Sequence, residues 1–199
     1  MKISRVWVMP NKNTFSIKPI DELIARWVNE ISSCHAMAKF IDPFCGKNEW
    51  ADITNDLNPN IQAMYHQDAL EFLKNMSPND RVHFFFDPPY SPRQISESYK
   101  NVGIKTNMQT TQSSWYSNIK NEIARLTVPG NYVISACWNS NGIGMSRGFE
   151  MIEILIVPHG GWHNDTIVTV ERKERSNGLL KENHARRNTV AVERRVCTL

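Results

Sequence analysis

Asp87-Pro88-Pro89-Tyr90 follows directly on the apolar run Val82-His83-Phe84-Phe85-Phe86. Proline has no N–H to donate, so a buried strand cannot continue through this tetrapeptide. The turn that results presents one carboxylate, carbonyl oxygens and one flat ring at a strand's C-terminal end. In open α/β sheets that edge is where ligands bind. These groups suit a flat molecule bearing an amino group, such as a nucleobase: the carboxylate of Asp87 and the carbonyl of Pro88 accept its two N–H hydrogens, and Tyr90 stacks on its face. A turn that merely ends a strand is the alternative these residue types also allow.

A second group lies upstream, in Phe40-Ile41-Asp42-Pro43-Phe44-Cys45-Gly46. Gly46 permits close backbone approach, and a helix beginning after it would favour anionic groups at its N-terminus. Asp56, followed by Leu57, stands after a strand, where a carboxylate pairs with ribose hydroxyls or simply closes a turn. Asp68, followed by Ala69, can cap a helix or contact an amino group, and the two roles are compatible. Lys18 precedes Pro19 at a helix start, either as a surface lysine or as a partner for a carboxylate.

In this order the elements resemble the S-adenosylmethionine-dependent amino-methyltransferases of the small phage and prokaryotic type that modify adenine N6 in DNA. The resemblance covers roughly residues 14–172, through Asp-Pro-Pro-Tyr, the D-x-F-x-G loop and the cofactor segment 14–19. It implies that Asp42 and Phe44 lie along the methionine part of the cofactor, that Asp56 meets its ribose and Asp68 its adenine amino group, and that Pro43, Gly46, Leu57 and Ala69 also bind the cofactor. Lys18 would neutralise its carboxylate, and Asp87 would also contact the cofactor. Asp87, Pro88, Pro89 and Tyr90 would be the catalytic residues, with Tyr90, Arg93 and Gln94 toward a flipped adenine. One departure stands out: the family has a second glycine where this chain has Asn48. Asn tolerates a left-handed backbone, which is the expectation for this position.

Neighbouring chemistries are cytosine N4 or RNA adenine methylation; a different class is a catalytically silent nucleic-acid-binding homologue. The family more often has Ser as the first motif residue for cytosine, so Asp87 favours adenine. The expected partner is DNA. Because little of the chain is spare for target recognition, specificity is either short or shared with a second subunit, in a homo-oligomer or with an accessory specificity protein.

The chain has 199 residues with 41% hydrophobic and 22% charged content, which suits one α/β domain with a sizeable core. Four scattered cysteines (Cys34, Cys45, Cys137, Cys197) show no CxxC pair or zinc spacing, so neither disulfide nor metal is expected. From Glu171 onward eight Lys/Arg stand against four Glu, placing +4 on the tail and −1 on the rest of a chain of net charge +3. Arg186-Arg187 and Arg194-Arg195 would touch a phosphate backbone or stay solvated. No apolar stretch reaches membrane-spanning length and the first residues lack a signal peptide's apolar segment, so the expected location is the cytoplasm of a prokaryotic or phage-infected cell.

Positioning these groups requires a sheet. Strands are expected at residues 3–9, 38–41, 51–57, 63–66, 82–86, 132–138, 151–157 and 167–170. Helices are expected after Pro19 and Asp21, with Leu23, Ile24, Trp27, Val28 and Ile31 on one face, and at 69–76 and 115–126. Trp115-Tyr116 reads as a core pair anchoring the last helix, and residues 159–164 as a structural hairpin. Residues 91–114 show no sustained apolar periodicity and read as a mobile substrate loop. The expectation is a single catalytic domain over residues 1–173 with a basic tail at 174–199. Its fold is α/β: a Rossmann-like class I methyltransferase, with a mostly parallel seven-stranded sheet, an antiparallel edge strand and helices on both faces.

Overall fold

The computed structural model describes residues 1–105 and 113–175. Seven strands form one sheet: β1 (Lys2–Arg5), β2 (Lys39–Asp42), β3 (Ile53–Thr54), β4 (Val82–Phe86), β5 (Tyr132–Cys137), β6 (Phe149–Val157) and β7 (Thr166–Lys173). Their order is β1-β6-β7-β5-β4-β2-β3. All neighbouring pairs are parallel except those made by β7, which is antiparallel to both β5 and β6. The antiparallel strand is therefore interior. Its hairpin with β6 tucks β7 against β5, and β1 adds a further strand outside β6.

Helix α1 (Lys18–Cys34) buries Ile20, Leu23, Ile24, Trp27 and Ile31 against one face of the sheet. Helices α2 (Ala69–Lys74), α3 (Pro92–Asn101) and α4 (Ser113–Leu126) cover the other. With both faces covered, every residue of β4 is buried, which is why its sequence is apolar apart from His83. Its side chains still alternate: Phe85 packs with the α1 cluster, Phe84 and Phe86 with the opposite one. Glu153 of β6 accepts hydrogen bonds from Arg26 and Trp27 of α1 and pairs with Lys2 of β1, tying three elements together.

Several expectations change, among them the strand at 51–57, which shortens to Ile53–Thr54, and the antiparallel strand, which is not at the edge. The strand at 63–66 reduces to one parallel bridge, Asn55 to Tyr65. No helix follows Gly46; turns carry the chain to β3, because too few residues separate the two strands for a helical crossover. Residues 92–101, read as part of a loop, form α3. Only Ile95 and Tyr99, one turn apart, are buried there, too few to make a periodic signal, but Ser91 caps the helix by accepting from Gln94 N–H and Pro92 opens it. Residues 106–112 of that loop and the tail cluster Arg186-Arg187 and Arg194-Arg195, with Cys197, lie outside the described residues. Cys34, Cys45 and Cys137 are free thiols.

Candidate active site at the ends of β2 and β4

After β2 the chain steps outward to β3, then returns to β4 on the other side of β2. This reversal opens a crevice at the C-terminal ends of β2 and β4, the position that favours ligand binding in such sheets. Asp42, the last residue of β2, is fully buried. Its Oδ1 accepts from the Phe44 N–H at 2.8 Å and its Oδ2 from the Asn48 side-chain amide at 2.7 Å. Burial nonetheless pushes its carboxyl up to about 7, against those two hydrogen bonds and reinforced by the charges of Asp87 and Asp56.

Gly46 has φ +48°, a conformation that favours glycine, and donates its N–H to Asp56 Oδ2 at 3.0 Å. Asn48 does not adopt the left-handed backbone expected of it; among non-glycine described residues only Met37 has positive φ. Its contribution is through the side chain, which bridges Asp42 and the Trp50 N–H. Asn55, also fully buried, donates to the carbonyls of Pro43 and Gln67 and so fastens the loop to the end of β3.

Asp68 caps α2, with Oδ1 accepting from the N–H groups of Leu70 and Glu71. Its Oδ2 accepts the Tyr99 hydroxyl, which also receives the Trp115 indole N–H at 3.4 Å. Trp115 is buried in the core beside Phe44, as expected of a helix anchor. A cavity of about 400 Å³ opens among these groups. Pro43, Phe44, Asp56, Leu57, Asp68 and Ala69 form one side, Asp87–Tyr90 the other, and residues of α3 close over them.

The catalytic candidate turn is held on several sides. Tyr90 N–H donates to Gln94 Oε1 at 2.6 Å, and the Tyr116 hydroxyl donates to the Pro89 carbonyl. The Pro88 carbonyl, by contrast, carries no hydrogen bond among the described residues. The Tyr90 hydroxyl donates to Asp87 Oδ1 and lies 3.4 Å from Thr14 Oγ1. Burial lifts the Asp87 carboxyl to about 6, and the Tyr90 and Thr14 hydroxyls oppose the rise. Near neutral pH Asp87 is therefore mostly an anion and an acceptor.

No model of a known protein family matches the chain, and no curated protein sequence does either. A Listeria monocytogenes protein provisionally assigned as a class I S-adenosylmethionine-dependent methyltransferase superposes with TM-score 0.54 at 13% identity, over 85% of this chain and 64% of that one. The fold is that of the class I methyltransferases. A Haemophilus influenzae protein provisionally assigned as a methylase gives TM-score 0.48 at 11% identity, covering 77% of this chain and 98% of that one. The N-methyltransferase NodS from Bradyrhizobium japonicum gives 0.47 at 8%, covering 79% and 98%.

Among the residues singled out in the sequence, Pro43, Phe44, Asp56, Leu57, Asp68, Ala69, Asp87–Tyr90 and Gln94 line this cavity together. Asp42 and Gly46 stand behind it and shape the loop. Lys18 is exposed at the first position of α1 and does not line it, and Arg93 points to solvent in an ion pair with Glu97. Sequence reasoning included Thr14 in the cofactor segment 14–19 but missed Gln67, Tyr99 and Trp115 as lining residues. The Ser91-Pro92 helix start was the one available signal for Tyr99. Among the described residues no group of three or more His, Cys, Asp or Glu could hold a metal ion, and no helix is long and apolar enough to cross a membrane.

Proposed function

We propose that this protein transfers a methyl group from S-adenosylmethionine to the exocyclic N6 of adenine in DNA. The observation that carries the reading is the pair of acceptors at one cavity wall: the Asp87 carboxylate and the Pro88 carbonyl, the latter without a partner among the described residues. The cofactor's chemistry matches the residues present. A cavity of this size suits a small molecule. Asp56 and Asp68 line it, and the carboxylate lone pairs beyond those taken by Gly46, Asn58, Leu70, Glu71 and Tyr99 are acceptors for ribose hydroxyls and an adenine amino group, with Leu57, Ala69 and Phe44 as apolar walls. Bound there, the cofactor supplies an electrophilic methyl group.

Adenine N6 is a weak nucleophile because its lone pair is delocalised into the ring. Asp87 accepts one N6 hydrogen and the Pro88 carbonyl the other. Two acceptors outside the ring plane localise the lone pair on nitrogen and aim it, and positioning then supplies much of the rate. The Tyr90 and Thr14 hydroxyls take two of Asp87's lone-pair sites and leave the others for the substrate. A base extruded from its stack meets the face of Tyr90. The proton released passes through Asp87 or goes to water.

The test is incubation of the protein with labelled S-adenosylmethionine and unmethylated DNA, followed by nucleoside mass spectrometry. Label in N6-methyldeoxyadenosine supports the reading; label confined to N4-methyldeoxycytidine, or found only with RNA, replaces it.

A further inference from the structure

The C-terminal edge of the sheet carries exposed aromatic rings well beyond the catalytic candidate turn. Trp138 follows the last residue of β5, is 40% exposed, and meets Tyr90 edge-on with ring centroids 5.5 Å apart. Trp7 lies past the end of β1, where Val6 and Val8 still donate to the carbonyls of Ile156 and Pro158, so it runs along the same edge, 61% exposed. Its indole nitrogen sits against Gly160, where an added Cβ would come within 3.2 Å. Trp162, in the turn between β6 and β7, is fully exposed. Cys137 pairs with Ile167 and Val157 with Thr166, so all these turns leave the sheet at one edge, the edge of Asp87.

Four strand spacings of about 4.8 Å separate β4 from β1, so the rings span roughly 19 Å of that edge. Cations accompany them. Arg5, Lys12 and Lys47 are exposed on segments of this edge and have no ion pair among the described residues. Asp165 and Glu49 are exposed carboxylates nearby in sequence. Flat rings flanked by unpaired cations match a polyanion with exposed base faces, whereas a duplex hides those faces in its stack.

We propose that this aromatic edge, Tyr90–Trp138 through Trp7 and Trp162, is a stacking platform for an unpaired nucleic-acid strand, so that the protein engages single-stranded nucleic acid in preference to duplex. The proposal deepens the reading of the site above, which supplies the target adenine, but strand binding itself needs no methyl transfer. Bases on either side of the target stack on the tryptophans while Arg5, Lys12 and Lys47 face phosphates.

The test measures fluorescence anisotropy of a labelled oligo(dT), which has no adenine, and of a duplex of equal length, with the full chain. Trp138→Ala, Trp7→Ala and Trp162→Ala are compared with the wild type, and Trp138→Phe serves as the conservative control; circular dichroism confirms folding. The single strand is expected to bind more tightly than the duplex, and each alanine variant to weaken it by about tenfold with an unchanged salt slope, since no charge is removed. Trp138→Phe retains most of the affinity. Alanine variants that bind oligo(dT) like the wild type would overturn the proposal, as would a wild type that prefers duplex. It would also fall if light scattering showed a dimer lost in Trp162→Ala with strand binding unchanged, because the face would then join two copies of the chain. Failure of methyl transfer with intact, tryptophan-dependent strand binding would sink the adenine reading and leave this one standing.

Discussion

Asn48 donates its side-chain amide to Asp42 Oδ2 across 2.7 Å, beneath the glycine loop. The residue that departs from the resemblance thus stabilises the loop's own carboxylate. Its replacement by the family's glycine is predicted to harm the protein. Asn48→Gly leaves a fully buried carboxylate with only the Phe44 N–H, and should cost about 1–3 kcal/mol in unfolding free energy. Urea unfolding and calorimetric titration with S-adenosylmethionine check it. Wild-type stability and affinity in Asn48→Gly would make the hydrogen bond incidental.

Asp87 must be ionised to accept an N6 hydrogen, and burial lifts its carboxyl to about 6. The logarithm of kcat/KM should therefore rise with unit slope as pH increases toward 6 and level off above it. Tyr90→Phe removes a hydrogen bond that lowers this value, so the inflection should move to higher pH while the stacking ring remains. An unshifted profile in Tyr90→Phe would mean that the hydroxyl does not tune Asp87.

Asp42 has a folded-state carboxyl raised to about 7 from the ordinary value of 3.8. Between those values the folded chain holds a proton that the unfolded chain has lost, so this residue's contribution is full below about 4 and fades as pH rises toward 7. His83, buried and lowered to about 4, acts in the opposite sense as pH falls below 6.5. The difference between wild type and Asp42→Asn isolates the first effect. Urea unfolding from pH 4 to 8 should show the wild type losing stability relative to the variant as pH rises.

Asp68 both caps α2 and faces the cavity, and two substitutions separate the roles. Asp68→Ala removes the cap at a cost of about 1 kcal/mol. Asp68→Asn retains a capping oxygen and should melt near the wild type, yet bind cofactor more weakly, because it offers one acceptor oxygen in place of two. Equal affinity in Asp68→Asn and wild type would reduce Asp68 to a cap.

Much of this was legible in the chain. The strand Val82–Phe86 and the turn after it were readable because proline ends a buried strand for a covalent reason. The face of α1 was readable because five buried apolar residues repeat at helical spacing. Helix α3 was not, since two buried side chains make no period, and with it went Tyr99 on the cavity wall. The place of β7 inside the sheet was also hidden, because strand order depends on how a hairpin packs and not on its own pattern. Asn48 was read through its backbone, while its role lies in a side chain reaching a residue six positions back.

The central claim rests on the Asp87 carboxylate, and one paired measurement tests it most directly. Wild type and Asp87→Ala are each titrated with S-adenosylmethionine by calorimetry, then incubated with unmethylated DNA, and the nucleosides are analysed by mass spectrometry. The account predicts N6-methyldeoxyadenosine from the wild type, and a loss of at least about 10²-fold in the variant with cofactor binding nearly unchanged. N6-methyldeoxyadenosine formed by Asp87→Ala at close to the wild-type rate would contradict it.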